Sequence, residues 1–250
     1  MTDNKVNREK DWHDKLYETD AKQNSDSRKY YCTFIAISRD TNSIIYKHFD
    51  KETTLYLEYG CGRGAKLMSI APLVKRAIGI DISEVAIQQA KDEIKSNNID
   101  NIDFYSMDAT NTSFEDKYFD VISGRAILHH LDLKSSLLEI KRILKDDGVA
   151  FFLEPMDTNL LIKLYRKLTP KIRTIDEQPF RKQEINLIKS VFENAEIKYY
   201  LFLSLLAVPF RNTKFFDMIL SVLFTIDKQL LHRYSPFKGL AWCCFIILKP

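Results

Sequence analysis

The stretch Leu55-Tyr-Leu-Glu-Tyr-Gly-Cys-Gly-Arg-Gly-Ala65 places three of the chain's seven glycines within five residues. Strand-like residues run into Glu58, then come Gly60, Gly62 and Gly64, and Ala65-Lys-Leu-Met-Ser-Ile-Ala-Pro72 has helical character. Glycine serves where a backbone must turn sharply and where a ligand must approach without meeting a Cβ. A strand, a glycine turn and a helix N-terminus in that order make a loop of the nucleotide-binding kind. The plainer reading is a strand-to-helix turn with no ligand, and three alternate glycines argue against it.

The flanking residues narrow the ligand. Gly60-Cys-Gly62-Arg-Gly64-Ala65 satisfies the Gly-x-Gly-x-x-Gly/Ala dinucleotide fingerprint, and Asp81 lies about twenty residues on, where a ribose-binding acid belongs. Glu58, however, stands two residues before the first glycine. A carboxylate there repels a pyrophosphate, which needs backbone N–H groups and a positive helix end. It suits a cationic ligand instead. Asp108, closing the strand-like Ile102-Asp-Phe-Tyr-Ser-Met107, supplies a third acid at a third strand end.

Glu58-Tyr-Gly-Cys-Gly-Arg-Gly64, Gly79-Ile-Asp-Ile-Ser83, Asp108-Ala109 and Phe119-Asp-Val-Ile-Ser-Gly-Arg-Ala-Ile-Leu-His-His-Leu131 follow one another in order, with Lys141-Arg-Ile-Leu-Lys-Asp-Asp-Gly148 beyond them. As an ordered set over residues 52–155 they resemble the motifs of class I S-adenosylmethionine-dependent methyltransferases, in particular the small-molecule group with ubiquinone/menaquinone-type relatives. The resemblance implies an α/β fold: a doubly wound, mostly parallel, seven-stranded Rossmann-like sheet with an antiparallel last strand and helical insertions in the C-terminal half. It implies S-adenosylmethionine as cofactor and S-adenosylhomocysteine as product. It places Glu58, Gly60, Cys61, Gly62, Gly64, Asp81, Ile82, Asp108, Ala109 and Arg125 around that cofactor. The three acids then receive its amino group, ribose hydroxyls and adenine amine.

Strand-like runs near 54–59, 77–81, 102–107, 119–123, 149–154, 196–204 and 240–248 agree with such a sheet, and helical patterns near 65–74, 84–97 and 134–145 separate the earlier ones. Further helices are expected near 158–168, 181–193 and 212–233. We read residues 1–250 as one domain. Residues 1–50 form an N-terminal helical lid region, 52–155 the cofactor-binding core, and 156–250 the substrate-side helices and last two strands. Trp12, Leu16 and Tyr17 are spaced for one face of a short helix in an otherwise polar segment, which motivates the lid. The 212–233 segment is apolar on nearly all sides and must be buried. A cap on the sheet, the roof of a lipophilic pocket, a dimer seam and a membrane contact are its alternatives.

In-line methyl transfer needs alignment more than it needs a metal, and no metal site is expected. A base is required only if the acceptor must lose a proton. His129 and His130 follow the fourth strand and Glu154 ends the fifth, so these three are the catalytic candidates, each with a structural alternative. Lys163, Arg166, Lys167, Lys171, Arg173 and Arg181, with Tyr165 among them, form either a solvated face or a site for an acidic substrate group.

The acceptor is expected to be a small, lipophilic or amphipathic molecule. Lys and Arg total 37 against 34 Asp and Glu, a balance too even to call for a nucleic-acid partner. The fourth-strand position reads Ser123-Gly-Arg-Ala126, unlike amine-methylating nucleic-acid enzymes, and no proline precedes any of the four cysteines. RNA methylation and a non-catalytic S-adenosylmethionine-binding module remain the alternatives. The cysteines show no zinc spacing, the N-terminus is too polar for a signal peptide, and no apolar run is long enough to span a membrane. The expectation is therefore a cytoplasmic monomer or homodimer, with peripheral membrane contact open.

Overall fold

The computed structural model describes residues 2–18, 31–168, 178–233 and 235–250. Its centre is a seven-stranded sheet in the order β3-β2-β1-β4-β5-β7-β6. The strands are β1 (Leu55–Tyr59), β2 (Arg76–Asp81), β3 (Ile102–Ser106), β4 (Phe119–Arg125), β5 (Leu144–Pro155), β6 (Glu196–Tyr200) and β7 (Cys243–Leu248). The first five run parallel, and β7 is antiparallel to both neighbours. This is the doubly wound, Rossmann-like fold expected from the sequence.

Helices cover both faces, so the central strands are apolar almost continuously rather than alternately. All six residues of β7 are buried. Along β1 the pleat sends Tyr56 into one core with Leu67, Ile70, Ile87 and Phe245. It sends Leu57 and Tyr59 into the other, with Leu137, Ile140 and Phe152. The helices are α1 (Thr2–Glu18), α2 (Phe34–Ile45), α3 (Ala65–Ile70), α4 (Glu84–Ser96), α5 (Leu133–Ile143), α6 (Leu160–Leu168), α7 (Lys182–Val191), α8 (Phe216–Arg233) and α9 (Ser235–Lys238). Two of their starts are set locally: Ser83 Oγ accepts from the N–H of Ala86 (3.1 Å), and Asp132 Oδ1 from that of Ser135 (2.9 Å).

Two elements differ from expectation. β6 stops at Tyr200, because Leu201 turns to φ +63 and the chain coils into a 3-10 segment, Leu203–Phe210. Asp227 of α8 fixes that turn. Its buried carboxylate accepts the N–H groups of Phe202, Leu203 and Ser204 and the Ser204 hydroxyl, at 2.6–3.0 Å. The second difference is α8 itself. It buries Leu220, Phe224 and Leu231, while Phe215 just before it and Met218, Val222 and Ile226 along it are exposed. The helix is amphipathic in its setting, not buried all round.

Candidate functional site

From β1 the chain could cross to either neighbour, β2 or β4, and this reversal of strand order opens a crevice at the carboxyl ends of the strands. The glycine loop fills one side of it. Gly60, Gly62 and Gly64 take φ +66, +51 and +75, a region that L side chains adopt only with strain. Asp81, ending β2, holds the loop: Oδ2 accepts the Gly62 N–H (2.8 Å) and Oδ1 the Ser83 N–H (2.9 Å).

Helix α1 lies across this loop. A Cβ on Gly62 would come within 2.6 Å of Tyr17 Oη, so the Tyr17 hydroxyl would have to shift. Burial raises the Tyr17 phenol to about 12, with the Asp81 carboxylate adding to it. Arg63 and Gln89 donate to the Tyr17 carbonyl (3.1 and 3.4 Å), Ser83 Oγ donates to Asp14 (2.5 Å), and Lys10 pairs with Glu84 (2.5 Å). Trp12 meets His13 edge-on, with ring centroids 4.9 Å apart.

Between α1 and the sheet edge lies a cavity of about 1090 Å³. Gly60, Asp81, Ile82, Asp108, Ala109 and Arg125 line it, as do His129 and His130. Glu58, Cys61, Gly62, Gly64 and Glu154 do not. Asp108 Oδ1 accepts from the N–H and hydroxyl of Thr110, both at 2.8 Å. Glu58 lies beneath the loop, buried, with Oε1 3.3 Å from Lys66 Nζ. Its Oε2 is buried and accepts no hydrogen bond among the described residues. Burial raises this carboxyl above its ordinary value against the pull of Lys66. Burial likewise pushes the Cys61 thiol up, so it is no nucleophile.

Glu154 is fully buried and anchors the turn after β4. Oε1 accepts the N–H groups of Ile127 and Leu128 (3.1 and 3.0 Å), and Oε2 shares a hydrogen with His129 Nδ1 (2.7 Å). The preceding Ala126 takes φ +53, a strained value for a residue with a Cβ. The carboxylate thus spends its acceptors inside the fold, away from any acceptor molecule. It fixes the His129 ring, which lies 4.1 Å from that of His130.

Several lining residues escape sequence reading. Lys5, Val6, Glu9 and His13 come from α1, and Phe180, Gln183 and Leu187 come from in and beside α7. Val6, Glu9, His13 and Tyr17 do carry the i, i+3, i+4 spacing of one helical face. Burial lowers the His13 imidazole from its ordinary value, with Asp81 opposing. The basic stretch is not part of this site. Arg181 pairs with Asp157 (2.6 Å), Lys163, Arg166 and Lys167 of α6 do not line the cavity, and Lys171 and Arg173 lie outside the described residues. No residue of 212–233 lines the cavity either. α8 packs on the 3-10 segment, β6 and α2, so it is not the pocket roof.

Residues 57–152 match the family described as "Methyltransferase domain". Ribosomal protein L11 methyltransferase of Clostridium botulinum is 31% identical over 102 residues, 40% of this chain and 28% of that protein. Aklanonic acid methyltransferase DauC of Streptomyces sp. is 32% identical over 104 residues, 40% of this chain and 47% of its own length. The chain thus matches less than half the length of these curated relatives. Two solved structures share the fold. A SAM-dependent methyltransferase from Archaeoglobus fulgidus superposes with TM-score 0.56 and 18% identity, over 87% of this chain and 94% of its own. Geranyl diphosphate C-methyltransferase from Streptomyces coelicolor, solved with Mg2+, geranyl diphosphate and S-adenosyl-L-homocysteine, gives 0.58 and 11%, over 85% and 79%. Residues 57–152 are thus similar in sequence to methyltransferase domains, and the chain shares its fold with a solved SAM-dependent methyltransferase.

Proposed function

We propose that this chain transfers a methyl group from S-adenosylmethionine to a small, lipophilic or amphipathic acceptor held beneath α1. The observation that carries the reading is the cavity at the strand-order reversal, where Asp81, Asp108 and His129 converge beside a loop of three left-handed glycines. Bound there, S-adenosylmethionine supplies an electrophilic methyl group and leaves as S-adenosylhomocysteine. The residues present fit it. Each carboxylate oxygen can accept more than one hydrogen, so Asp81 can hold ribose hydroxyls while it keeps its backbone partners. Glu58 lies beneath the loop and outside the cavity lining, so it would favour the cofactor's ammonium group by its charge rather than by direct contact. Asp108 supplies the acceptor for an adenine amine.

His129 is the base where the acceptor must lose a proton. With Nδ1 donating to Glu154 Oε2, Nε2 is left as the basic nitrogen of the ring. Glu154 acts through His129 and is a positioning residue. The cavity wall contributed by Val6, Met107, Leu128, Leu131, Phe180 and Leu187 favours an apolar acceptor body.

Calorimetry with S-adenosylhomocysteine tests the first half: binding is expected, and binding of nicotinamide dinucleotides alone would overturn it. His129→Ala tests the second, with kcat expected to fall by about 10²–10⁴ at unchanged cofactor affinity. Unchanged kcat leaves catalysis to alignment alone. Cofactor binding with no turnover over a broad acceptor panel would favour a non-catalytic binding module.

A further inference from the structure

Glu9, His13 and His130 meet at the rim of the cavity, joining α1 to the turn after β4. Glu9 Oε2 lies 3.3 Å from His130 Nδ1 and 3.7 Å from His13 Nε2. One nitrogen or oxygen from each of the three residues lies within 4.8 Å of the other two. Zinc–ligand bonds of about 2.0–2.1 Å at tetrahedral angles set ligand atoms about 3.3–3.4 Å apart. One edge of the triangle already has that length, a second exceeds it slightly, and the third lies within 4.8 Å.

We propose that Glu9, His13 and His130 form a three-ligand site for a divalent transition metal. Two imidazoles and one carboxylate suit Zn(II), Co(II) or Ni(II) rather than Mg(II) or Ca(II), which prefer oxygen donors. No thiol is among them. All three residues also line the cavity, so the remaining coordination positions face the space where an acceptor sits. Three protein ligands with an open position are the arrangement of a reactive or substrate-binding metal rather than a purely structural one. The ion would also staple α1 onto the sheet edge. Its Glu9 and His13 ligands lie four residues apart on one helical face, and His130 lies on the far wall. The inference stands apart from methyl transfer, since metal binding needs neither cofactor nor acceptor.

The test uses the full chain stripped with a chelator and titrated with Zn(II) by calorimetry, then with Co(II) by visible absorption. One ion per chain is expected, with a Co(II) ligand-field spectrum and no thiolate charge-transfer band. His13→Ala and His130→Ala should each weaken Zn(II) by more than about tenfold, since even outer partners of a metal site cost 10–100-fold. Glu9→Gln keeps the side-chain volume and should weaken it as well, which covers the case of a misfolded histidine variant. His48→Ala, at an exposed histidine outside this group, should bind like the parent. The proposal is overturned by an absence of stoichiometric binding, by a thiolate band, or by His13→Ala and His130→Ala proteins that are folded and bind Zn(II) normally. Loss of binding in His48→Ala would overturn it too.

Discussion

Gly62 meets three demands at once: a left-handed backbone, an N–H held by Asp81, and a Cα against which Tyr17 rests. Gly62→Val therefore strains φ +51 and drives a branched side chain into the Tyr17 hydroxyl. We expect a folded variant that no longer binds S-adenosylhomocysteine and in which α1 is detached, with exchange of the α1 amides accelerated. Normal affinity in a folded variant would reduce the loop to a turn. Asp81→Ala is milder, since it removes hydrogen bonds to a charged group. Cofactor affinity should drop by about 1.5–3 kcal/mol, and calorimetry showing no change would remove Asp81 from the site. The glycine pattern was legible in the sequence because left-handed backbone and absent Cβ are properties of the residue itself. Tyr17 as the neighbour over Gly62 was not, because only the docking of α1 brings it there.

Elements are tied to one another by side chains far apart in the chain. Asp40 of α2 receives Lys228 Nζ of α8 (2.5 Å) and Tyr200 Oη of β6 (2.6 Å). Burial pushes the Asp40 carboxyl up, and these hydrogen bonds outweigh it, so its pKa lies below the ordinary value. A depressed folded pKa contributes stability that is present above the unfolded carboxyl value of about 4 and is lost as pH falls through the folded one. Asp40→Asn should cost about 1–2 kcal/mol near neutral pH, with the half-exposed Lys228 keeping it at the lower end. The gap from the parent should narrow below about pH 4. Denaturant titrations at several pH values check this, and a gap that widens in acid would refute the clamp. At α1, a cofactor filling the cavity beneath the helix should slow hydrogen exchange across residues 8–18. Equal exchange with and without S-adenosylhomocysteine would leave the lid unsupported.

For the molecule as a whole, the cavity and the apolar face of α8 are separate surfaces. Met218 and Val222 are 61% and 55% exposed and do not line the cavity. Met218→Lys and Val222→Lys should leave S-adenosylhomocysteine affinity within about twofold of the parent, as for surface positions remote from a site. Calorimetry showing a large loss would return α8 to the pocket. Among the described residues no helix is long and apolar enough to cross a membrane. The order of motifs from Glu58 to Gly148, the alternation of strand and helix, and the antiparallel pairing of the last two strands could all be read or inferred from the chain. The first two rest on local periodicity and glycine chemistry, which act within a few residues, and the antiparallel pairing came only from the family resemblance. Three features could not be read. Asp227 caps a turn at residues 202–204, Glu154 turns inward to hold His129, and α1 brings Glu9 and His13 to His130. Each joins segments distant in sequence, and α8 shows why composition cannot stand in for them. An apolar side chain carries a cost of exposure that is the same wherever it sits, and only packing in three dimensions decides which of its neighbours covers it.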